Sequence, residues 1–147
     1  MGAEKPDRAK KTVYAGWGIT LPFFILLAIL CLVIPEQAFS LFSNDPEVIA
    51  MSRSYMGIYV WMCLAFCLMA PPLGLINGVG NTMLNMVIAL LDGVAARIAL
   101  SLLFGRALGM GLHGFWLGNS LAGYVSVILA GLYFFFGKWE DRRLLKQ

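Results

Sequence analysis

The chain has 147 residues, of which 60% are hydrophobic and 13% charged, against about 25% charged in a soluble globular domain. Its formal net charge of +3 comes from basic residues bunched between Glu4 and Lys11 and between Lys138 and Lys146, with long apolar stretches between. That segregation excludes water as the solvent around most of the chain, and the terminal charges read as anchors beside anionic headgroups rather than as a nucleic-acid surface.

The first apolar run, Val13 to Ile34, exceeds the short apolar region of a secretory leader and is followed by three comparable runs, so it reads as a spanning helix. Pro22 inside it predicts a kink. From Pro35 to Phe42 polar and apolar residues alternate at helical spacing, which predicts a segment along the membrane surface. Asp45, Pro46 and Glu47 form a helix start: the aspartate caps free N–H groups, the proline suits the first helical position and the glutamate complements the dipole. The second spanning helix is therefore expected from Pro46 to Leu75. Pro71 and Pro72 cannot donate and crowd the preceding turn, which predicts a kinked or broken end to that helix, leading into an uncharged loop from Asn77 to Thr82.

The third run, Met83 to Phe104, and the fourth, Leu112 to Phe136, complete an all-α membrane bundle of four transmembrane helices in one domain, 1–147. Lipid offers no partner for backbone polar groups, which excludes open sheets. Lys5, Arg8, Lys10 and Lys11 precede the first helix, and Lys138, Arg142, Arg143 and Lys146 follow the last. The positive-inside rule then places both termini in the cytoplasm of a multi-pass protein of the cell membrane.

Asp92 and Arg97 are the ionisable residues well inside a span, and each costs roughly 2.5–3.5 kcal/mol to insert unaided. Five residues apart on an α-helix they point about 140° apart. A direct pair is then awkward, and each is expected to find a partner on another helix, either as a coupling charge or as an interhelical anchor. Arg97 sits in a stripe with Ala89, Gly93, Ser101 and Gly105, and Gly114, Gly118, Ala122, Ser126 and Ala130 make a longer seam; small residues at such spacing let helices approach closely. Asn77, Asn81 and Asn85 recur every four residues and share a face if that stretch is helical. With Asn119 they are candidates to line a solvated path or to bond across helices. Tyr59, Met62, Phe66 and Met69 form a soft stripe that could accept varied apolar ligands or simply pack.

Cys31, Cys63, Cys67 and the single histidine, His113, have no metal-ligand or disulfide spacing. No nucleophile elbow or phosphate-binding loop occurs, so neither enzyme chemistry nor a resident cofactor is expected.

Several stretches together resemble the multidrug and toxic-compound extrusion (MATE) transporters. Gly2-Ala3 with Asp7-Arg8-Ala9-Lys10-Lys11 is similar to the loop before that family's ninth helix, and Leu41-Phe42 with Asp45-Pro46-Glu47-Val48-Ile49 to the loop before the tenth. Pro72-Leu73 and Asn77-Gly78-Val79-Gly80-Asn81-Thr82 resemble the glycine-rich turn before the eleventh, and Arg97-Ile98, Gly109 to Gly111 and Gly114-Phe115-Trp116 the last two helices. The resemblance implies twelve helices in two lobes that rock between inward-open and outward-open forms, with export driven by sodium ions or protons. This chain then corresponds to helices nine to twelve, most of one lobe. It departs from the family at Asn77, where many members have glutamine, and at Asn81, where many have aspartate. Tyr55 to Leu75 also lacks the cation-binding acid that some members carry there.

The expected function is that of a C-terminal portion of a cation-coupled multidrug exporter, inactive alone, meeting lipid, the remaining helices or another copy of itself, and small organic cations or drugs. Two rivals are a small four-helix transporter acting as an oligomer and a non-transporting assembly subunit. The first resembles the small multidrug resistance proteins, whose first helix carries a glutamate that Val13 to Ile34 lacks.

Overall fold

The computed structural model describes residues 6–139. The readings made on Gly2, Ala3, Glu4, Lys5, Arg142, Arg143 and Lys146 fall outside that range. Helix α1 spans Pro6–Val33, a short α2 spans Pro35–Ser40 and α3 spans Pro46–Gly78. Helix α4 covers Thr82–Ala107 and includes two π-helical turns, Leu91–Ala96 and Leu103–Ala107; α5 spans Gly111–Phe136. Helices α1, α3, α4 and α5 are each long and apolar enough to cross a membrane.

Local chemistry accounts for the boundaries. Asp45 caps α3 as the sequence predicts, its Oδ1 accepting from Glu47 N–H at 2.9 Å. Gly80, at φ 68°, turns the chain between α3 and α4, a conformation that an L side chain disfavours. That turn also corrects one expectation: residues 79–81 are not helical, so Asn77 does not share a face with Asn81 and Asn85.

Of the two outcomes expected at Pro71 and Pro72, a kink or a break, the break does not occur, since α3 runs on to Gly78. In an α-helix these two prolines deprive the carbonyls four residues earlier, those of Cys67 and Leu68, of their partners. Helix α1 supplies the missing donors. Trp17 Nε1 donates to Leu68 O at 2.9 Å and Thr20 Oγ1 to Cys67 O at 3.4 Å. Helix α1 likewise continues through Pro22.

The long helices lie side by side in the order α1, α3, α5, α4, with α2 resting on α3. Two apolar clusters join the end of the bundle that carries Pro6 and Trp139. One comprises Val13, Leu75, Val79, Phe134 and Trp139, and the other Ile76, Ile88 and Ala130. At the opposite end Tyr55 meets Phe39 and Trp116 edge-on, with ring centroids 5.9 and 5.2 Å apart.

The α4–α5 seam is set by glycine. A Cβ at Gly118 would lie 2.5 Å from backbone atoms of Leu100 and Ser101, and one at Gly114 would overlap Phe104 O. Gly114, Gly118, Ala122, Ser126 and Ala130 are all buried, as their spacing suggests. The stripe on α4 holds only in its second half, because Ala89 and Gly93 are exposed. The π turn inserts a residue into the repeat and brings Asp92, rather than Gly93, to the packed face.

Candidate functional site between helices α4 and α5

The two mid-span charges, Asp92 and Arg97, meet polar groups of α5 where the middle of α4 crosses it. Asp92 is 6% exposed. Its Oδ2 accepts from Ser126 Oγ on α5 at 2.9 Å, while Oδ1 has no hydrogen-bond partner. Arg97 Nε stands 3.7 Å from that Oδ1, close enough to attract it but beyond ordinary hydrogen-bond length.

This pairing corrects the expectation that five residues of separation keeps the two charges apart. The intervening segment is π-helical, and Arg97 N–H donates to Asp92 O. A turn closed between residues five apart places them nearly above one another, cancelling the divergence an α-helix would impose. The other half of the expectation holds, since each charge also reaches another helix. Arg97 Nη1 donates to Asn119 Oδ1 at 2.8 Å, and Asn119 Nδ2 points to Met62 Sδ of α3 at 3.8 Å. The resulting chain runs Ser126, Asp92, Arg97, Asn119, Met62 across three helices.

The remaining candidates lie elsewhere. Asn77 ends α3 on an exposed face, and Asn81 and Asn85 sit half-buried at the start of α4. Tyr59 stacks on Tyr55 at 5.8 Å, Phe66 is exposed and Met69 half-buried. Of the stripe Tyr59, Met62, Phe66 and Met69, the structure therefore connects only Met62 to the charged group. Sequence reasoning missed Ser126, which it took for a packing residue. Its signal was depth: on an antiparallel partner helix it lies level with Asp92.

A family model described as MatE matches residues 1–103 of this chain. The chain belongs to the MatE family. Among MatE relatives it is 28% identical to Probable multidrug resistance protein NorM of Thermotoga maritima, over 98% of this chain and 31% of that protein. It is 23% identical to a protein of the same name from Streptococcus pneumoniae strain R6, over 100% of this chain and 31% of that one. Protein DETOXIFICATION 17 of Arabidopsis thaliana is 29% identical over 95% of this chain and 29% of its own length. The chain thus spans about a third of the length of the curated relatives it matches. No solved structure matches it. Membership in the MatE family and the four apolar helices make this a multi-pass membrane protein.

Proposed function

We propose that this chain forms one wall of a multidrug exporter of the cell membrane, with both termini in the cytoplasm, driven by inward movement of sodium ions or protons. The observation that carries the reading is Asp92, a buried carboxylate at mid-span in a MatE chain, with one oxygen left without a hydrogen bond. A buried acid so poorly satisfied is a functional hypothesis by default in a membrane. The wall works with a second body, either further helices of the transporter or another copy, because alternating access needs two bodies around a site. Small organic cations or drugs are the proposed cargo, and Met62 is the proposed contact nearest the charged group. Asn77, Asn81 and Asn85 lie apart from it and are proposed only as contacts with the second body.

The test is a chimera. In the full-length Thermotoga maritima relative, the 144 aligned residues are replaced by their counterparts here. Reconstituted in liposomes, the chimera is expected to expel ethidium when a sodium or proton gradient is imposed. A chimera that inserts and folds but moves no ethidium under either gradient would refute the exporter reading.

A further inference from the structure

Helices α1 and α3 leave an open groove of about 560 Å³ between them, walled by α1 from Ala9 to Thr20 and by α3 from Ala70 to Val79. The α3 wall is low because Ala70, Gly74 and Gly78 recur every four residues. Among the described residues, a Cβ added at Gly74 or Gly78 would meet nothing within 4 Å. At the α4–α5 seam the same spacing of glycines is filled by backbone; here it leaves space instead. The lining asks for no polar ligand. Thr12 Oγ1 donates to Arg8 O at 2.9 Å and Thr20 Oγ1 to Cys67 O at 3.4 Å, so both hydroxyls are already satisfied.

Length and charge say what fits there. From Ala9 to Thr20 a helix rises about 16 Å, half of a hydrocarbon core of roughly 30 Å. A transmembrane helix docks along the full thickness, whereas the acyl chain of one leaflet occupies half of it. The mouth of the groove is basic. Arg8 is exposed and stands one turn before Thr12, about 40° off its line. Asp7 and Lys11 lie about 200° round α1 from Ala9, where opposite charges four apart offset each other. Lys10 Nζ stands 5.9 Å over the Trp139 ring, which packs on Val13 and Val79 of the groove. Among the described residues, this end therefore sets Asp7 against Arg8, Lys10, Lys11 and Lys138.

We infer that this groove seats an acyl chain of an anionic phospholipid whose phosphate rests on Arg8. A guanidinium holds phosphate oxygens through paired, charge-assisted hydrogen bonds. The excess of positive charge around it favours a headgroup with net negative charge over a zwitterionic one. Below the headgroup the chain fills the space that Gly74 and Gly78 leave beside Val13 and Leu75. The lipid thereby completes the join between α1 and α3 at the one end where their side chains do not close it. That join matters to α1, whose backbone comes near only α2 and α3 among the described residues. The inference does not depend on the exporter reading, because a lipid seat can be measured without transport.

The experiment is native mass spectrometry of the chain in detergent, titrated separately with phosphatidylglycerol and phosphatidylcholine of the same acyl composition. The first phosphatidylglycerol is expected to bind about fivefold more tightly than the first phosphatidylcholine. Arg8→Gln, at an exposed position, should bring the two lipids level. Gly74→Leu fills the groove from a position where a Cβ meets no protein atom, and should abolish retention of the first lipid. Gly78→Leu should do the same, which keeps the test decisive if Gly74→Leu fails to fold. Gly18→Leu adds the same bulk to α1 outside the groove and should change nothing. Equal binding of the two lipids by the wild type, a preference that survives Arg8→Gln, or retention untouched by the groove-filling substitutions would each overturn the inference. So would a dimer that Gly74→Leu dissociates, since a second copy would then occupy the groove.

Discussion

Asp92 and Arg97 differ in what their removal leaves behind. With Arg97 replaced by leucine, a carboxylate remains in the middle of a span with one hydrogen bond, from Ser126, and no opposite charge. Breaking a buried pair in this way costs about 3–5 kcal/mol in soluble proteins. Because the Arg97 side chain is 30% exposed and stands 3.7 Å off, about 2 kcal/mol is the better expectation. Asp92→Asn removes the charge instead, keeps an acceptor for Ser126 and adds donors, so stability should be unchanged or raised by up to about 1 kcal/mol. Denaturant titration in detergent micelles measures both. A large loss from Asp92→Asn would make the carboxylate a packing anchor, whereas a gain joined to lost ion coupling marks a charge kept for function.

The π turn in α4 makes a sharper prediction at the scale of the element. A turn with one residue too many keeps Asp92 and Arg97 in phase, so deleting the exposed Val94 should return the segment to α geometry with the charges four apart, about 40° from alignment. The pair and its contacts with Asn119 and Ser126 survive, and the melting midpoint should shift by less than about 3 °C. Deleting Ala99, in the α-helical stretch Arg97–Leu102, rotates one half of α4 against the other by about 100°. That separates Arg97 from the Gly105 side of the seam and should lower the midpoint far more; equal losses from both deletions would sink this account. The same element shows what the sequence conceals. Apolar length located every span, and Asp45 with Pro46 gave the start of α3, because those signals lie within one segment. The survival of α3 through Pro71 and Pro72 depends on Trp17 and Thr20, some fifty positions away, and no local rule reaches that far. The approach of Asp92 to Arg97 was hidden because an α-helical wheel assumes a period that Leu91–Ala96 does not keep.

At the scale of the whole molecule, the helices form a layer rather than a ring. Among the described residues, the backbone of α1 comes within 8 Å of α2 and α3 but not of α4 or α5. Only 6% of its most apolar window is buried, against 33% for α5. A layer has two faces, and neither can surround a ligand; whichever face carries the Met62 end of the polar chain opens directly to lipid or to a second body. A ligand bound there could diffuse into the bilayer. Liposomes holding this chain alone are therefore expected to show ethidium efflux no faster than empty liposomes under either gradient. Ion-driven efflux by the chain alone would mean that copies of it supply the second body, and chemical cross-linking in the same liposomes would then have to reveal an oligomer.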